Sequence, residues 1–394
     1  MKSRHLLFMM MGIAAIAGSC SKNDKELPVP AGSTIQITVP DQVATANLKW
    51  VRINSQVQAT NAQYLWTWGK DTLSTSQNLQ YVFDTTGTFT LQFTVKTSID
   101  FSTKNITVKV TDSSLNYANH VTKVFEYFPA PGQFINTMPE WNTGYSDQQM
   151  AAGALTAVSK EDMVSLGGFG GYIVMGFDHT IINKPGQYSF LVLGNAFPNS
   201  AEPGIIMVSS DVNGNGLPDD EWYEITGSEY NSAKTIKNYQ ITYYKPNEEK
   251  TQTQDPNDVF LNDNTYIRWE DNQGKSGYLS RNVFHSQPYY PQWKGESITF
   301  TGNQLSNDQI VNTSTDPDSP YWILPAFSWG YVDNKSNDDN DAKTKLDWAV
   351  DKNGKPVKLK GIDFIKVYSA IRAEAGWLGE TSTEVAGVRD LRLK

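Results

Sequence analysis

Oxygen-bearing side chains recur at regular spacing in the segment DVNGNGLPDDEW, which covers residues 211–222. Asp and Asn alternate with other residues at its start, a glycine follows, and acidic residues come next. Calcium binds about six to eight hard oxygen ligands, and a glycine allows the sharp turn that wraps such ligands around one ion. We therefore predict a calcium site with ligands drawn from Asp211, Asn213, Asn215, Asp219, Asp220 and Glu221.

The same segment resembles the first part of the calcium-binding loop of EF-hand and dockerin-type proteins. It departs from that pattern at Trp222, which stands where the final glutamate of the loop is expected, so the acidic residues just before it would have to complete the shell. Alternating segments flank the loop, so we expect a calcium turn between strands. A solvated hairpin turn is the alternative, because Asn-Gly is the strongest short hairpin signal.

Acidic residues elsewhere give weaker signals. The run VDNKSNDDNDAK includes Asp333 and is interpreted as a solvated loop, since charge runs are usually exposed, with a metal site as the alternative. Asp351 and Asn353 precede Gly354 in a pattern that fits a plain β-turn better than a second metal turn. A carboxylate pair for glycoside hydrolysis is an alternative that the sequence leaves open, because spacing along the chain does not give spacing in the fold. The residues available for it are Glu202, Glu221, Glu224, Glu374, Glu380 and Glu384.

Aromatic residues in loops form the second candidate site. The segment HSQPYYPQW places aromatic rings in a proline-broken stretch, and two further tryptophans are flanked by glycine. Exposed rings of this kind stack on sugar rings or other flat ligands. We predict a ligand-binding surface formed by Tyr289, Tyr290, Trp293, Trp329 and Trp377, with polar rims from Asn334, Arg372 and Glu380. At least three of the five rings must then border one open cavity; the alternative is that they seal long loops onto the protein.

Motifs of several functional classes are absent from the sequence. The chain has four histidines, without the HxH or HExxH spacing of zinc hydrolases, and it has no GxSxG nucleophile elbow. Its formal net charge is −9, whereas a nucleic-acid-binding surface needs basic patches. We therefore expect a binding protein rather than an enzyme, with no nucleic acid among its partners.

The first residues, MKSRHLLFMMMGIAAIAGSC, combine a basic head, an apolar run too short to span a bilayer, and small residues before the only cysteine. They resemble a bacterial lipoprotein signal. The resemblance implies a signal peptide at residues 1–19, a lipid anchor at Cys20 and a tether at residues 20–33. Asp24 and Glu26 resemble the acidic tag that sends Bacteroidetes-type lipoproteins to the outer face of the outer membrane. An ordinary signal peptide cleaved nearby is the alternative.

The rest of the chain is dominated by alternating, β-branched and aromatic segments separated by polar turns. Such segments fill residues 34–112, which predicts a small β-sandwich, and residues 113–122 are interpreted as a linker. Residues 123–394 have the pattern of one larger domain, for which we predict a jelly-roll-like β-sandwich. One helix is expected around residues 147–159, capped by Ser146 or Asp147. The fold class is therefore all-β.

The segment YLWTWGKDTLSTSQNLQYVFDTTGTFTLQFTV resembles a PKD domain, an immunoglobulin-like module. Aromatic and glycine residues occupy positions typical of that family, namely Trp66, Trp68, Tyr81, Phe83, Gly87 and Phe89. The family's usual Gly-Asp-Gly turn is replaced by Gly69, Lys70 and Asp71, which makes this a divergent member. Trp66 and Trp68 share one face of a strand, and at least one of them is expected in the core. The resemblance implies a spacer without chemistry of its own.

Several segments of the larger domain are similar to a family of mostly uncharacterised bacterial cell-surface proteins that often carry a PKD-like module in front. They include SLGGFGGYIVMGFDHTI, HSQPYYPQW, FSWGYVDN and GIDFIKVYSAIRAEAGWLGETSTEVAGVRDL. The resemblance implies an extracellular β-sandwich and supplies no catalytic residues. It also implies an association with outer-membrane uptake systems, including those for corrinoids, because some members accompany such systems.

These features together predict a lipid-anchored, calcium-stabilised surface protein that captures a glycan or a small nutrient, such as a corrinoid, for an outer-membrane transporter. A glycan-degrading enzyme is the first alternative, and it would show two carboxyl groups roughly 5–9.5 Å apart in a cleft. A structural adhesin is the second alternative, and it would show no concave aromatic pocket.

Overall fold

The structure, a computed structural model, describes residues 34–113, 116–316 and 319–393. The predicted signal peptide, Cys20 and the tether lie outside these residues. The regular secondary structure is almost entirely β-strand, with a single α-helix and a few short 3-10 helices among the described residues. The all-β fold class predicted from the sequence, an immunoglobulin-like sandwich followed by a larger β-sandwich, is confirmed. Within the described residues, the helices are too short or too polar to cross a membrane.

The N-terminal sandwich contains the strands β1 Gln36–Thr38, β2 Gln42–Ala46, β3 Trp50–Ile53, β4 Gln56–Gln58, β5 Gln63–Trp68, β6 Asp71–Ser74, β7 Leu79–Val82, β8 Gly87–Lys96 and β9 Phe101–Thr111. One sheet has the strand order β2-β9-β8-β5-β6, and the pairs β1-β4 and β3-β7 pack against it. Strand β2 runs parallel to β9, and the other pairs are antiparallel.

The core of this sandwich is built from alternate residues of its longest strands. On β8, the side chains of Leu91, Phe93 and Val95 are buried because every second residue faces the partner sheet. Trp66 is fully buried and stacks on Phe93, with ring centres 4.2 Å apart. Trp68 is half-buried at the edge of the same core. The expectation that at least one of these two tryptophans belongs to the core is therefore confirmed.

The larger domain contains β10 Lys123–Phe128, α1 Asp147–Val158, β11 Val164–Ser165, β12 Tyr172–Ile182, β13 Phe190–Leu193, β14 Gly204–Ser209, β15 Trp222–Ile225, β16 Ile236–Tyr244, β17 Leu261–Asp271, β18 Ser276–Asn282, β19 Ser297–Gln304, β20 Val311–Asn312, β21 Trp322–Ile323, β22 Lys343–Thr344, β23 Ala349–Val350, β24 Gly361–Ser369, β25 Glu384–Val385 and β26 Gly387–Asp390. Short 3-10 helices cover Asn340–Ala342, Leu346–Trp348 and Gly376–Leu378.

A six-stranded antiparallel sheet in the order β10-β12-β24-β14-β15-β23 forms the centre of this domain. One face packs against α1 and the small sheet β22-β13-β26, and the other packs against the four-stranded sheet β18-β17-β16-β19. Strand β14 contributes side chains to the cores on both faces of this sheet. Ile206 and Val208 are buried on the side of α1, and Ile205 is buried on the side of the four-stranded sheet. A sheet covered on both sides needs apolar residues at nearly every position, which explains apolar runs such as GIIMVS.

The helix α1 forms where the sequence predicted it. Ser146 is its N-cap, and its hydroxyl and the side chain of Gln149 satisfy each other's backbone N–H groups in a capping box. Met150, Ala154 and Val158 recur at helical spacing and are buried in the core on the α1 side of the central sheet. The helix therefore closes one face of the central sheet.

The two domains are joined by specific polar contacts. The indole Nε1 of Trp50 donates to Asp363 Oδ2 over 2.7 Å, and the ammonium group of Lys184 lies 2.8 Å from Asp84 Oδ2. The backbone N–H of Thr180 donates to the carbonyl of Leu48 over 2.8 Å. These contacts dock the N-terminal sandwich onto one end of the central sheet.

Candidate functional site

A cleft of about 690 Å³ opens between the six-stranded sheet and strand β19 at the edge of the four-stranded sheet. Side chains at every second position of a strand share one face of its sheet. Lys366 and Tyr368 of β24 therefore point the same way, as do Trp222 and Glu224 of β15, and all four line the cleft. Tyr172 of β12 joins them on this wall. The central sheet thus brings together residues that are far apart in sequence.

Two rings of the cleft are paired with lysines. The ammonium group of Lys366 lies 3.7 Å from the centre of the Tyr172 ring, and that of Lys237 lies 3.2 Å from the centre of the Tyr230 ring. Each pair is a cation–π contact, which holds ring and charge in place. Burial lowers the pKa of both lysines. The cleft is therefore lined by ordered aromatic rings next to hydrogen-bond donors.

Glu224 is the cleft carboxyl group with the most perturbed environment. Burial raises its pKa from 4.5 to about 7, against the opposing effects of Lys237 and of a hydrogen bond from Asn303. That bond runs from Asn303 Nδ2 to Glu224 Oε2 over 2.5 Å. Near neutral pH the carboxyl group both donates and accepts hydrogen bonds, because its protonated and ionised forms coexist. Carboxyl groups of this kind in a cleft are frequent at functional sites.

A tight turn after β23 forms the rim of the cleft. The carboxylate of Asp351 accepts the backbone N–H groups of Asn353 and Lys355, each over 2.9 Å. These bonds, led by that from Lys355, hold the Asp351 pKa below its ordinary value. Gly354 closes the turn by donating its N–H to the Asp351 carbonyl over 2.8 Å. This is the plain β-turn that the sequence favoured, and Asp351, Asn353 and Gly354 all line the cleft.

A cluster of carboxylates lies below the surface of the same domain. One oxygen each from Glu202, Asp333 and Glu384 lies within 4.8 Å of the other two, and no other such group of acidic, His or Cys side chains occurs in the part of the chain that the structure describes. Burial, followed by repulsion from Glu384, raises the pKa of both Glu202 and Asp333 well above the ordinary range. The solvated-loop interpretation is wrong for Asp333, which is only 3% exposed, because its backbone turns the side chain inward.

Two smaller cavities flank Glu380, which lines both of them. The first, of about 270 Å³, is also lined by Glu202 and Trp377, and the second, of about 190 Å³, by Arg372. Glu380 Oε1 accepts the backbone N–H of Gln133 over 2.7 Å, whereas its Oε2 is buried and has no hydrogen-bond partner among the described residues. Two of the three predicted polar rim residues, Arg372 and Glu380, are therefore close to cavities.

The five aromatic residues predicted as a ligand surface do not converge on one cavity. Tyr289 and Tyr290 are fully buried in the core between the six- and four-stranded sheets. The Tyr290 hydroxyl donates to the Gly295 carbonyl over 2.7 Å, and Tyr266 packs edge-on against Tyr289 with ring centres 5.4 Å apart. The prediction is wrong for these two residues because proline and glycine indicate irregular backbone and not exposure.

The three tryptophans of that set lie apart from one another. Trp293 packs against the core that contains α1, and Trp329 packs on Trp348 with ring centres 4.6 Å apart. Trp377 lines the 270 Å³ cavity, and its Nε1 donates to the Pro320 carbonyl over 3.2 Å. The requirement that three rings border one cavity is not met at any of the cavities described above. The rings mainly seal loops, and the ligand surface predicted there is wrong.

The predicted calcium loop is a surface turn between β14 and β15. The side-chain amides of Asn213 and Asn215 both contact the carboxylate of Asp219, at 2.8 Å each. Asp220 Oδ2 accepts the backbone N–H of Val212 over 2.9 Å. Four of the predicted ligand residues thus gather in one turn around Asp219.

Of the other two predicted ligands, Asp211 also belongs to this turn, since its Oδ1 accepts the backbone N–H of Gly214 over 2.8 Å. Asp211 lies 3.4 Å from the guanidinium group of Arg52 in the N-terminal sandwich. Glu221 accepts a hydrogen bond from the Tyr223 hydroxyl over 3.0 Å. Within the described residues, the acidic groups of this loop do not form a trio as close as that of Glu202, Asp333 and Glu384.

The sequence did not predict the cleft, although Glu224 was a candidate carboxylate and Asp351, Asn353 and Gly354 a predicted turn. Glu224 in EWYEI and Lys366 in IDFIKVYS are charges inside strands whose other residues are mainly apolar. Charged residues are rarely placed in buried strands without a reason. Such a charge therefore indicates a strand face that borders a polar cavity.

Comparison with protein-family models gives a match for the N-terminal domain. The family model of the PKD domain matches residues 27–110, in agreement with the immunoglobulin-like sandwich, and no curated protein matches the chain. Among solved structures, the chain is similar to a carbohydrate-binding module of the β-sandwich superfamily, at 11% identity and a TM-score of 0.18, over 92% of this chain and 100% of that chain.

The chain is also similar to two SusE-like proteins. One matches at 10% identity and a TM-score of 0.21, over 90% of this chain and 96% of that chain. The other is a surface-located polysaccharide-binding protein from the Bacteroides thetaiotaomicron heparin utilisation locus, at 11% identity and a TM-score of 0.18, over 55% of this chain and 44% of that chain. TM-scores this low support no inference about a ligand. The N-terminal immunoglobulin-like sandwich is, by fold and by family model, a PKD domain.

Proposed function

We propose that this protein captures a glycan at the cell surface, and that the glycan binds in the cleft between the six-stranded sheet and β19. The observation that carries the proposal is that aromatic rings and hydrogen-bonding side chains share one cavity of about 690 Å³. This volume is within the usual range for small-molecule sites, about 300–1,000 Å³. A structural adhesin, by contrast, needs no such concave aromatic pocket.

The chemistry of the cleft suits a sugar ring, which has apolar C–H faces and a rim of hydroxyl groups. Aromatic side chains contact such faces, and amide, carboxyl and ammonium groups form hydrogen bonds with such rims. Trp222 and Tyr230 supply rings, and Glu224, Lys237 and Asn303 supply donors and acceptors beside them.

The charge of the whole chain favours a neutral glycan, although the cleft itself contains charged groups of both signs. Three lysines, Lys237, Lys352 and Lys366, line the cleft together with two carboxyl groups, Glu224 and Asp351. The whole chain carries a net charge of −9, which repels polyanions. We therefore expect neutral oligosaccharides to bind more tightly than sulfated or uronic-acid-rich ones.

Isothermal titration calorimetry with a panel of oligosaccharides tests this proposal, with a corrinoid included as the alternative nutrient. We expect at least one neutral glycan to bind with a Kd on the order of micromolar, about −8 kcal/mol. Trp222→Ala should weaken that binding about 2- to 10-fold, since a ring contact contributes about 0.5–1.5 kcal/mol. Trp329→Ala, which removes a tryptophan outside the cleft, is the matched control. Absence of glycan binding, or equal weakening in both variants, would contradict the proposal.

A glycan-degrading enzyme is the second candidate, and one observation favours it. Glu224 has a raised pKa and Asp351 a lowered one, and both line the same cleft. Glycosidases separate the pKa values of an acid and an ionised partner in this way. If the protein is an enzyme, the wild type releases reducing ends from the bound glycan and Glu224→Gln does not. If it is a binding protein, neither releases them.

We also propose that the loop at residues 211–221 binds calcium. Rotation of the Asn213 and Asn215 amides would present their oxygens beside the Asp219 carboxylate, which already lies within 2.8 Å of both side chains. An ion held only in the folded state raises stability by RT ln(1 + [L]/Kd). Millimolar calcium should therefore raise the Tm over that in chelator, and Asp219→Asn should reduce the rise.

The anchor and the location are proposed from the sequence alone, because Cys20 lies outside the described residues. Lipid on Cys20 would hold the PKD domain and the cleft domain at the outer face of the outer membrane, next to a transporter that takes up the captured ligand. Cys20→Ala should then release folded protein from the membrane fraction. Retention of that variant in the membrane would disprove the anchor.

A further inference from the structure

We propose that Glu202, Asp333 and Glu384 hold a divalent cation, and that calcium is the ion they fit best. This site is separate from the glycan cleft and from the loop at residues 211–221. It lies beneath the surface of the larger domain, beside the 270 Å³ cavity that Glu202 lines.

The spacing of the three carboxylates fits one ion. Calcium binds oxygens at about 2.3–2.6 Å, so two oxygens on the same ion are at most about 5 Å apart. The nearest oxygens of Glu202, Asp333 and Glu384 are all within 4.8 Å of one another. Magnesium, at about 2.0–2.1 Å, requires a tighter and more regular shell, so we expect it to bind more weakly.

The charge of the cluster is not balanced by protein groups. Asp333 and Glu384 are 3% and 2% exposed. Among the described residues, no Lys, Arg or His nitrogen forms an ion pair with any of the three carboxylates. Buried carboxylates without a counter-ion are strongly unfavourable, and a divalent cation relieves this.

A fourth carboxylate provides an independent reason to place a ligand here. Glu380 is 3% exposed, lines the same cavity as Glu202, and has a buried Oε2 without any hydrogen-bond partner among the described residues. A buried oxygen of this kind requires a partner that the described protein atoms do not provide. A hydrated cation in the cavity would supply one, either directly or through a bound water.

The backbone is distorted to hold Asp333 in the cluster. Its φ is +53°, in the left-handed region, and its Oδ1 and Oδ2 accept three backbone N–H groups. A Cβ at position 194 would lie 2.6 Å from Asp333 Oδ1, so glycine is required there. Strain of this kind is typically kept at functional positions.

Calcium titration of the chelator-treated full-length protein tests the site, with stoichiometry from calorimetry and Tm from thermal melts. Glu202→Gln, Asp333→Asn and Glu384→Gln each remove one charge with little change of shape, and any of them that folds is sufficient. Asp219→Asn is the control, since it changes only the loop at residues 211–221. Magnesium serves as the competing ion.

We expect the Asp219→Asn variant to bind one equivalent of calcium at the carboxylate cluster. Each cluster variant should lose this equivalent or bind it at least about tenfold more weakly. If Asp219→Asn binds no calcium, or if the cluster variants retain the stoichiometry and affinity of the wild type, the site does not exist. The site is also absent if two results occur together: the cluster variants have a higher Tm than the wild type without calcium, and calcium stabilises the wild type only through the loop at residues 211–221. Protons alone would then neutralise the cluster.

Discussion

Glu224 links the stability of the protein to pH. Its pKa is about 7 in the folded state and 4.5 as the reference value, so the folded state binds more protons between these two pH values. Stability due to this group is complete below about pH 4.5 and is lost as pH rises through 7. A partly buried carboxyl group with this shift contributes on the order of 2 kcal/mol once solvent screening is considered.

Glu224→Gln should therefore be more stable than the wild type at pH 8 and no more stable at pH 4, while glycan affinity falls. Urea denaturation at the two pH values measures this difference. Glu140→Gln, which changes an exposed carboxylate, is the control. A Glu224→Gln variant whose stability relative to the wild type is the same at both pH values would contradict the raised pKa.

At the residue scale, the sequence predicted the types of side chain better than their location. The rings of Tyr289 and Tyr290 were expected at the surface and are in the core, since a loop without regular backbone still packs. Glu202, Glu380 and Glu384 were recognised as carboxylates of interest, but their proximity to Asp333 depends on the fold and not on sequence spacing.

At the scale of elements, the N-cap of α1 should be measurable by mutation. Ser146→Ala removes the side chain that accepts the Gln149 N–H and should cost about 1 kcal/mol of unfolding free energy. Ser159→Ala at the other end of the helix removes no capping side chain, because only the backbone N–H of Ser159 takes part there. Equal stability of the two variants in urea denaturation would show that the capping box does not matter.

Elements with a strong local pattern were predictable. The helix has a cap and apolar residues at helical spacing, and long strands such as β8 alternate at period two. Short strands such as β2, β4 and β6 cannot be located from the sequence alone, because three to five residues give little pattern and pairing with distant strands defines them. The covering of the central sheet on both faces was likewise not evident from the sequence.

At the scale of the molecule, the docking of the PKD domain depends on Asp363. Its two oxygens accept hydrogen bonds from Trp50 Nε1, the Asp211 N–H and the Thr180 hydroxyl, each over 2.7 Å. Trp50 and Asp363 are 313 positions apart, so this contact could not be predicted from sequence spacing.

Trp50→Phe removes one donor from this half-buried carboxylate and should weaken docking by about 1–3 kcal/mol. Small-angle scattering should then show a more extended molecule, and protease should cut faster between the domains. Trp68→Phe, a change inside the PKD core, should alter neither property. Identical scattering curves for Trp50→Phe and the wild type would show that the other contacts are sufficient.

A crystal structure with the tightest-binding oligosaccharide would show where on the larger domain the glycan binds. We expect a sugar ring in the 690 Å³ cleft, in contact with Trp222 or Tyr230 and hydrogen-bonded to Glu224 or Asn303. A sugar bound elsewhere on the domain, for example in the 270 Å³ cavity beside Trp377, with the cleft filled only by solvent, would contradict this expectation.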